Sequence, residues 1–295
     1  MSAFSQYSHA FVILPVQSGE CGGWLSMARM SIRIKEEGPI TSITMTRRFL
    51  GISFFKVHAF FVDGLLIDTG FAYGRDRFLK LCDALHPEIV VNTHHHEDHT
   101  GNNFWIREKY GLLPLAHPKT SFYLQAPSQR IPWYRRLVWG CPHPSETGEV
   151  NSKIQTRNFH FMVIPTPGHS DDHICLYEPN EAWLFSGDLF INEQVRYLRN
   201  DEDIYLILDS LKRVVGLRPQ KIFCSFSGFI DRPEEAIHHK IDYIENLKSE
   251  VEKGFQQGLS TWEIQHRLLG RGDRFSFLSG GQVSKKNLIN AFIRN

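Results

Sequence analysis

Long apolar runs, cysteine and net charge are all scarce in this sequence, and each scarcity closes off a class of function. No apolar stretch reaches the roughly 18 residues that cross a bilayer. Residues 9–16 are the strongest N-terminal candidate for a leader. They are short, lack a basic region before them and lack a clear small-residue cleavage site after them, so they read poorly as a signal peptide. The five cysteines, Cys21, Cys82, Cys141, Cys175 and Cys224, are scattered with no C-x-x-C pair, which points to a reducing, cytoplasmic setting without a disulfide framework. Lys+Arg number 33 against 32 Asp+Glu, so the chain carries no overall field for nucleic acid or acidic membranes. A G-x-S-x-G elbow, a P-loop and a Rossmann glycine pattern are also missing. At 42% apolar residues over 295 positions, there is material for a sizeable core.

What the chain does have is a dense run of ligand-type side chains, T-H-H-H-E-D-H-T-G at residues 93–101. His94, His96, Asp98 and His99 fit H-x-H-x-D-H. Imidazole and carboxylate groups crowded into six residues are costly to place together without a cation, and Zn²⁺, Fe and Mn all suit them. The apolar Ile89, Val90 and Val91 just before them read as a buried strand. Alternation along an extended segment sends His94 and His96 to one side, and a turn after the strand brings Asp98 and His99 round.

Strand patterns run through residues 41–46 and 52–61, with Asp63-Gly64 as a hairpin turn, and residues 75–85 carry a helical period. Further strands are expected at 159–164, 174–177, 182–185 and 221–225, with a helix carrying Leu206, Leu208, Leu211 and Val214 between the last two. Pro233-Glu234-Glu235 opens a long amphipathic helix, Ser260-Thr261-Trp262-Glu263 is a capping box, and Ser284 is placed to cap a last helix. Strands alternating with helices argue for a layered α/β architecture. Residues 1–34 read as an N-terminal extension, 35–240 as the main domain and 241–295 as a helical C-terminal appendix. Between residues 118 and 150 prolines recur and Trp133, Tyr134, Arg135, Arg136 and Trp139 cluster. That stretch either lines a pocket, with Trp133, Tyr134, Arg135 and Trp139 meeting substrate, or is a surface insertion whose aromatics pack on the body.

Two later segments complete a pattern. His169 sits in Thr166-Pro167-Gly168-His169-Ser170, and Asp188 follows Trp183-Leu184-Phe185-Ser186-Gly187. With Asp68 in Ile67-Asp68-Thr69-Gly70, the chain resembles the metallo-β-lactamase superfamily of metallo-hydrolases. The resemblance implies a four-layer αββα sandwich with the site at one edge between the sheets. It also implies a metal held by His94, His96 and His169, a second held by Asp98 and His99, Asp188 shared, and Asp68 orienting the histidine loop. Thr166 to His173 is similar to the branch of lactamase-like hydrolases and an endoribonuclease, which also carries a helical appendix. One departure stands out. Where the family has a fifth-motif histidine, this chain reads Cys224-Ser225-Phe226-Ser227-Gly228. A phenyl ring coordinates nothing. The second site therefore binds weakly, stays empty, or recruits His173, His238 or His239.

The expected activity is a metal-dependent hydrolase. A metal-bound hydroxide attacks an ester, thioester, lactone or phosphodiester of a small molecule, with Asp98 and Asp188 as the catalytic carboxylates and one or two Zn²⁺ ions, or Fe or Mn, as cofactor. Three other readings stay open. A mononuclear iron persulfide dioxygenase would use His96, His169 and Asp188. A single-stranded RNA endonuclease would grip its substrate with Arg130, Arg135 and Arg136 beside Trp133 and Tyr134. A non-catalytic degenerate relative would have lost activity with the Phe226 exchange.

Overall fold

The computed structural model describes residues 28–49 and 52–293. The expected extension therefore lies largely outside the described residues. Its boundary at residue 34 falls inside strand β1 (Ala28–Glu37), which pairs along its whole length with β2 (Ile40–Phe49). Met30, Ile32 and Ile34 alternate with polar residues there, a strand period legible from about Ile32.

The first sheet continues through β3 (Ile52–Val62), β4 (Leu65–Ile67), β5 (Ile89–Val91), β6 (Leu115–Ala116) and β7 (Gly148–Glu149), in that order. Its first half is antiparallel, and β4 to β7 are parallel. The β3–β4 turn is Asp63-Gly64, both at positive φ (49° and 83°), as a tight hairpin requires. The second sheet has β8 (Lys153–Gln155), β9 (His160–Pro165), β10 (Ile174–Glu178), β11 (Trp183–Gly187), β13 (Lys221–Cys224) and β14 (Gly228–Ile230). A short ribbon pairs β12 (Leu198–Arg199) with β15 (Val283–Ser284).

Helices α1 (Arg75–Leu85) and α2 (Asn103–Tyr110) cover the first sheet. Three short helices follow in the proline-rich stretch: α3 (Thr120–Leu124), α4 (Pro127–Arg130) and α5 (Trp133–Trp139). Helices α6 (Ile204–Val215), α7 (Pro233–Gln256), α8 (Thr261–Leu269) and α10 (Lys285–Ile293) cover the second sheet, with α9 (Arg274–Ser279) between the last two. The Ser260–Glu263 capping box forms with both arms, and Ser284 Oγ accepts from Asn287 N. The expected appendix boundary at residue 241 falls inside unbroken α7, whose Ile237, Ile241 and Ile244 share one apolar cluster with Leu288 and Phe292 of α10. Among the described residues, no helix is long and apolar enough to cross a membrane.

Three apolar clusters make this a four-layer αββα sandwich. The middle cluster is aromatic. Phe185 stacks on Phe223 at 4.9 Å, and Phe60 meets both edge-on at 5.6 Å. Strands β4, β5, β9, β11 and β13 deliver their C-terminal turns to one edge. The Ile174 N–H donates to Thr93 O (2.8 Å) and the His58 N–H to Ser225 O (2.7 Å), linking the two sheets at that edge.

His58 lies buried between the sheets, with Nδ1 3.0 Å from Thr44 Oγ1 and 3.3 Å from Ser42 Oγ, and Nε2 without a partner. Burial, helped by the Lys56 charge, lowers its pKa to about 4 from 6.5. The folded form thus resists a proton that the unfolded chain accepts. Stability from this group is complete above pH 6.5 and is lost as the pH falls towards 4, by at most about 3 kcal/mol. Urea unfolding at pH 7.5 and pH 4.5 checks this. His58→Gln should lose about 2 kcal/mol less than wild type between those conditions, whereas equal losses would contradict the assignment.

Candidate metal centre

The ligand-type residues follow strand ends. Asp68 comes just after β4, His94 to His99 after β5, His169 after β9 and Asp188 directly after β11. Two glycines make the turns feasible. Gly168 has φ 135°, and a Cβ there would sit 2.4 Å from Ile207 N. Gly187 has φ 48°, and a Cβ there would sit 2.7 Å from His173 Nε2. The β11–β13 register slips between Phe185 and Gly187, a bulge that turns the chain just before Asp188.

These turns gather His94, His96, His169 and Asp188 so that one donor atom from each lies within 4.8 Å of the others, all buried. Asp98, His99 and Asp188 form a second group by the same measure, sharing Asp188. His96 Nδ1 lies 2.7 Å from His94 Nε2 and 3.1 Å from His169 Nε2. Asp188 Oδ2 is 3.3 Å from His169 Nε2, and its Oδ1 is 3.3 Å from His99 Nε2. His99 Nε2 and Asp188 Oδ1 are both fully buried without a hydrogen bond. Buried polar atoms are seldom left this way. Imidazole nitrogens and carboxylate oxygens converging on one point with orphaned atoms among them fit a divalent cation.

Electrostatics at His94 and His96 agree with that use. Burial, reinforced by neighbouring histidines at His94 and by Arg135 and Arg199 at His96, holds both rings well below the usual histidine range, so they stay neutral with lone pairs free. Burial pushes His99 the other way from its carboxylates, but Asp188, Asp68 and Asp98 prevail and raise it. Burial lifts the Asp98 carboxyl to about 6 despite the opposing pull of His99. Asp188 is held well down. Burial alone would raise it, but the charges of His99 and His169 outweigh that.

A set of outer partners fixes the donors. Asp68 accepts from Thr93 N (2.8 Å) and faces His99 Nδ1 at 2.7 Å. Glu202 faces His169 Nδ1 at 2.7 Å. A carboxylate on the far nitrogen sets the tautomer that leaves the near nitrogen free to ligate. Replacing Glu202 by Gln should therefore weaken metal binding about 10–100-fold with the fold unchanged, which competition against a zinc chelator would measure. Wild-type affinity in that variant would refute the role.

Asp68 and the six ligand-type residues thus occupy one centre, while the other residues singled out divide. Phe226 is half-buried and meets Trp139 edge-on at 6.4 Å. His173 does not replace it as a free donor, because Thr166 Oγ1 lies 2.8 Å from its Nδ1 and Asp188 N donates to its Nε2. His238 and His239 lie on the exposed face of α7. Of the residues expected to meet substrate, Trp139 is a correction: it is buried against Phe55 and Phe71 in the first sheet's apolar cluster. Trp133 is 60% exposed. Tyr134 and Arg135 line a cleft of about 340 Å³ shared with His95, His96, Tyr123, Arg130 and Arg199. Arg135 is not free there, since it makes a bidentate pair with buried Glu97, Nε to Oε1 and Nη2 to Oε2 at 2.7 Å each.

Sequence reasoning missed Glu202, Glu97, Arg199 and the His95–Asp172 pair (2.9 Å). Glu97 carried a signal, as an acid placed inside the histidine run. The other partners come from loops or, for Arg199, from the two-residue strand β12, too short to show a period. Arg199 Nη2 donates to His169 O at 2.9 Å and reaches His96 Nε2 at 3.0 Å, and its Nε donates to Asp201.

The family model for the metallo-beta-lactamase superfamily matches residues 53–225. The chain is similar to the beta-lactamase-like protein 2 homolog of Drosophila melanogaster, 28% identical over 65% of this chain and 64% of that protein. It is also similar to a hydroxyacylglutathione hydrolase of Pelagibacter ubique, 29% identical over 57% of this chain and 62% of that protein. These alignments span slightly less than two thirds of either relative. Among solved structures, a metallo-beta-lactamase family protein from Thermus thermophilus superposes with a TM-score of 0.60 at 17% identity, over 92% of this chain and 94% of that one. TTHA1623, solved in a di-iron-bound form, has a TM-score of 0.52 at 27% identity, over 61% of this chain and 92% of that one. With its αββα layers, its donor cluster at the sandwich edge and a family match over more than half its length, this chain belongs to the metallo-beta-lactamase superfamily.

Proposed function

We propose that the protein is a metal-dependent hydrolase of small thioesters or esters. The observation that carries this reading is the convergence of His94, His96, His169 and Asp188 beside a second group, Asp98, His99 and shared Asp188, where His96 lines an open cleft. The cleft volume, about 340 Å³, is that of a small-molecule site. The relatives named hydroxyacylglutathione hydrolase support a thioester substrate.

His94, His96 and His169 with Asp188 would hold one cation, and Asp98, His99 and Asp188 another. When bound, a cation supplies a Lewis acid that polarises the scissile carbonyl and acidifies water. This chain's own residues do the rest. The Asp98 carboxylate, beside His99 and Asp188, is placed to orient the attacking water or accept its proton. Arg199, tethered by Asp201 and the His169 carbonyl, places positive charge at the cleft wall. Asp68 and Glu202 keep His99 and His169 in their ligating tautomers.

The di-iron-bound form of TTHA1623 supports iron as a metal for such a site, but not the mononuclear arrangement of the dioxygenase alternative. The RNA reading loses one of its three arginines, because Arg135 is committed to Glu97. Elemental analysis of protein purified without added metal, followed by assays on a hydroxyacyl-glutathione thioester, an aryl ester and glutathione persulfide, separates these. The hydrolase reading expects metal with thioester or ester cleavage and no oxygen uptake. Oxygen consumption on the persulfide, or a chain without metal, would refute it.

A further inference from the structure

We propose that α5 is a clamp that couples the metal-ligand turns to the wall of the substrate cleft, and that Phe226 is one of its seats. Three contacts carry the inference. Arg135 forks onto Glu97, which is 1% exposed and lies in the chain between His96 and Asp98. Trp139, one helical turn on, packs at 5.3 Å on Phe71, three residues after Asp68. The same indole meets Phe226 at 6.4 Å and 76°, within the range of a favourable edge-to-face pair. One seven-residue helix thus touches two of the turns that carry the centre and the β13–β14 turn beside them.

The far side of the helix is fixed to the first sheet. Arg47 donates to Val138 O at 2.6 Å, and the Tyr73 hydroxyl donates to Arg136 O at 3.3 Å. Pro132, Tyr134 and Arg135 then present to the cleft that His96 also lines. A bidentate guanidinium–carboxylate pair, nearly dry on the Glu97 side, admits little freedom in direction. Whatever orders His96 and Asp98 therefore orders Glu97, Arg135 and the cleft wall with them. Phe226, half-buried against Trp139, serves on this account as packing for the clamp.

The inference rests on the metal reading, and its test is built to fail separately. Amide exchange is followed by mass spectrometry across residues 127–139 of the full chain, metal-free and zinc-loaded, with zinc per chain measured in parallel. Wild type should show exchange slowed about 10-fold or more by zinc in this segment. Arg135→Ala and Phe226→Leu should lose most of that response while still binding zinc. Because Arg135→Ala strands a buried carboxylate, Glu97→Gln/Arg135→Met serves as the second variant, with the same loss expected. A zinc response that survives in all three variants overturns the clamp, as does a zinc-bound wild type with no response. If wild type binds no zinc, the metal reading falls by itself. The clamp is then judged on metal-free exchange, where rates unchanged by the variants overturn it.

Discussion

Asp188→Ala should lower hydrolysis about a thousandfold or more and reduce metal per chain. This carboxylate belongs to both donor groups, with Oδ2 beside His169 and Oδ1 beside His99. No other residue in the centre is shared. Removing it leaves the His99 and His169 rings with one fewer anion, although both are raised in part by Asp188. The loss therefore reaches both halves of the site at once, through charge as well as ligand number. Fold should survive, since Asp188 accepts no backbone hydrogen bond among the described residues and lies after β11. The check is a circular-dichroism melt beside elemental analysis and turnover. A variant with wild-type metal content and activity would remove Asp188 from the centre.

Phe185→Ala should destabilise the fold by about 3–5 kcal/mol, the largest stability effect expected here. The ring is 0% exposed and packs on Phe223 at 4.9 Å, Phe60 at 5.6 Å and Phe161 at 6.0 Å. Those partners come from both sheets, so the cavity would open at the centre of the sandwich rather than at a rim that can collapse. Strands on either side are held by their own ladders and cannot close the gap cheaply. Urea denaturation would show the midpoint drop with an unchanged slope. A loss under 1 kcal/mol would mean that the sheets repack, contrary to the rigid aromatic core described above.

How much could be read in the sequence depended on periodicity and on motif density. Strands β3, β9, β10, β11 and β13 and helices α1, α6, α7 and α8 announce themselves through apolar periods or, in β10 and β11, through short runs buried at every position. Short strands such as β6, β7 and β12 have two residues each, too few to display any period. Strand β1 read as extended only from about Ile32, four residues after its start. The donor residues were legible because they are chemically costly and crowded. Their supports were not, because Glu202 stands between Asp201 and Asp203 and Asp172 beside Asp171, with nothing local to single them out, and they meet His169 and His95 only through tertiary closure. Trp139 shows the opposite error. An aromatic beside arginines suggests a binding surface, but the short helix turns it inward while Trp133, six residues earlier, stays in solvent.

The most direct test is diffraction from crystals of the protein grown with zinc, recorded above and below the zinc absorption edge. The account predicts an anomalous peak bonded to His94, His96, His169 and Asp188, with any further peak bounded by Asp98, His99 and the same Asp188. A map with no peak among these side chains, or with zinc bound only elsewhere, would contradict it.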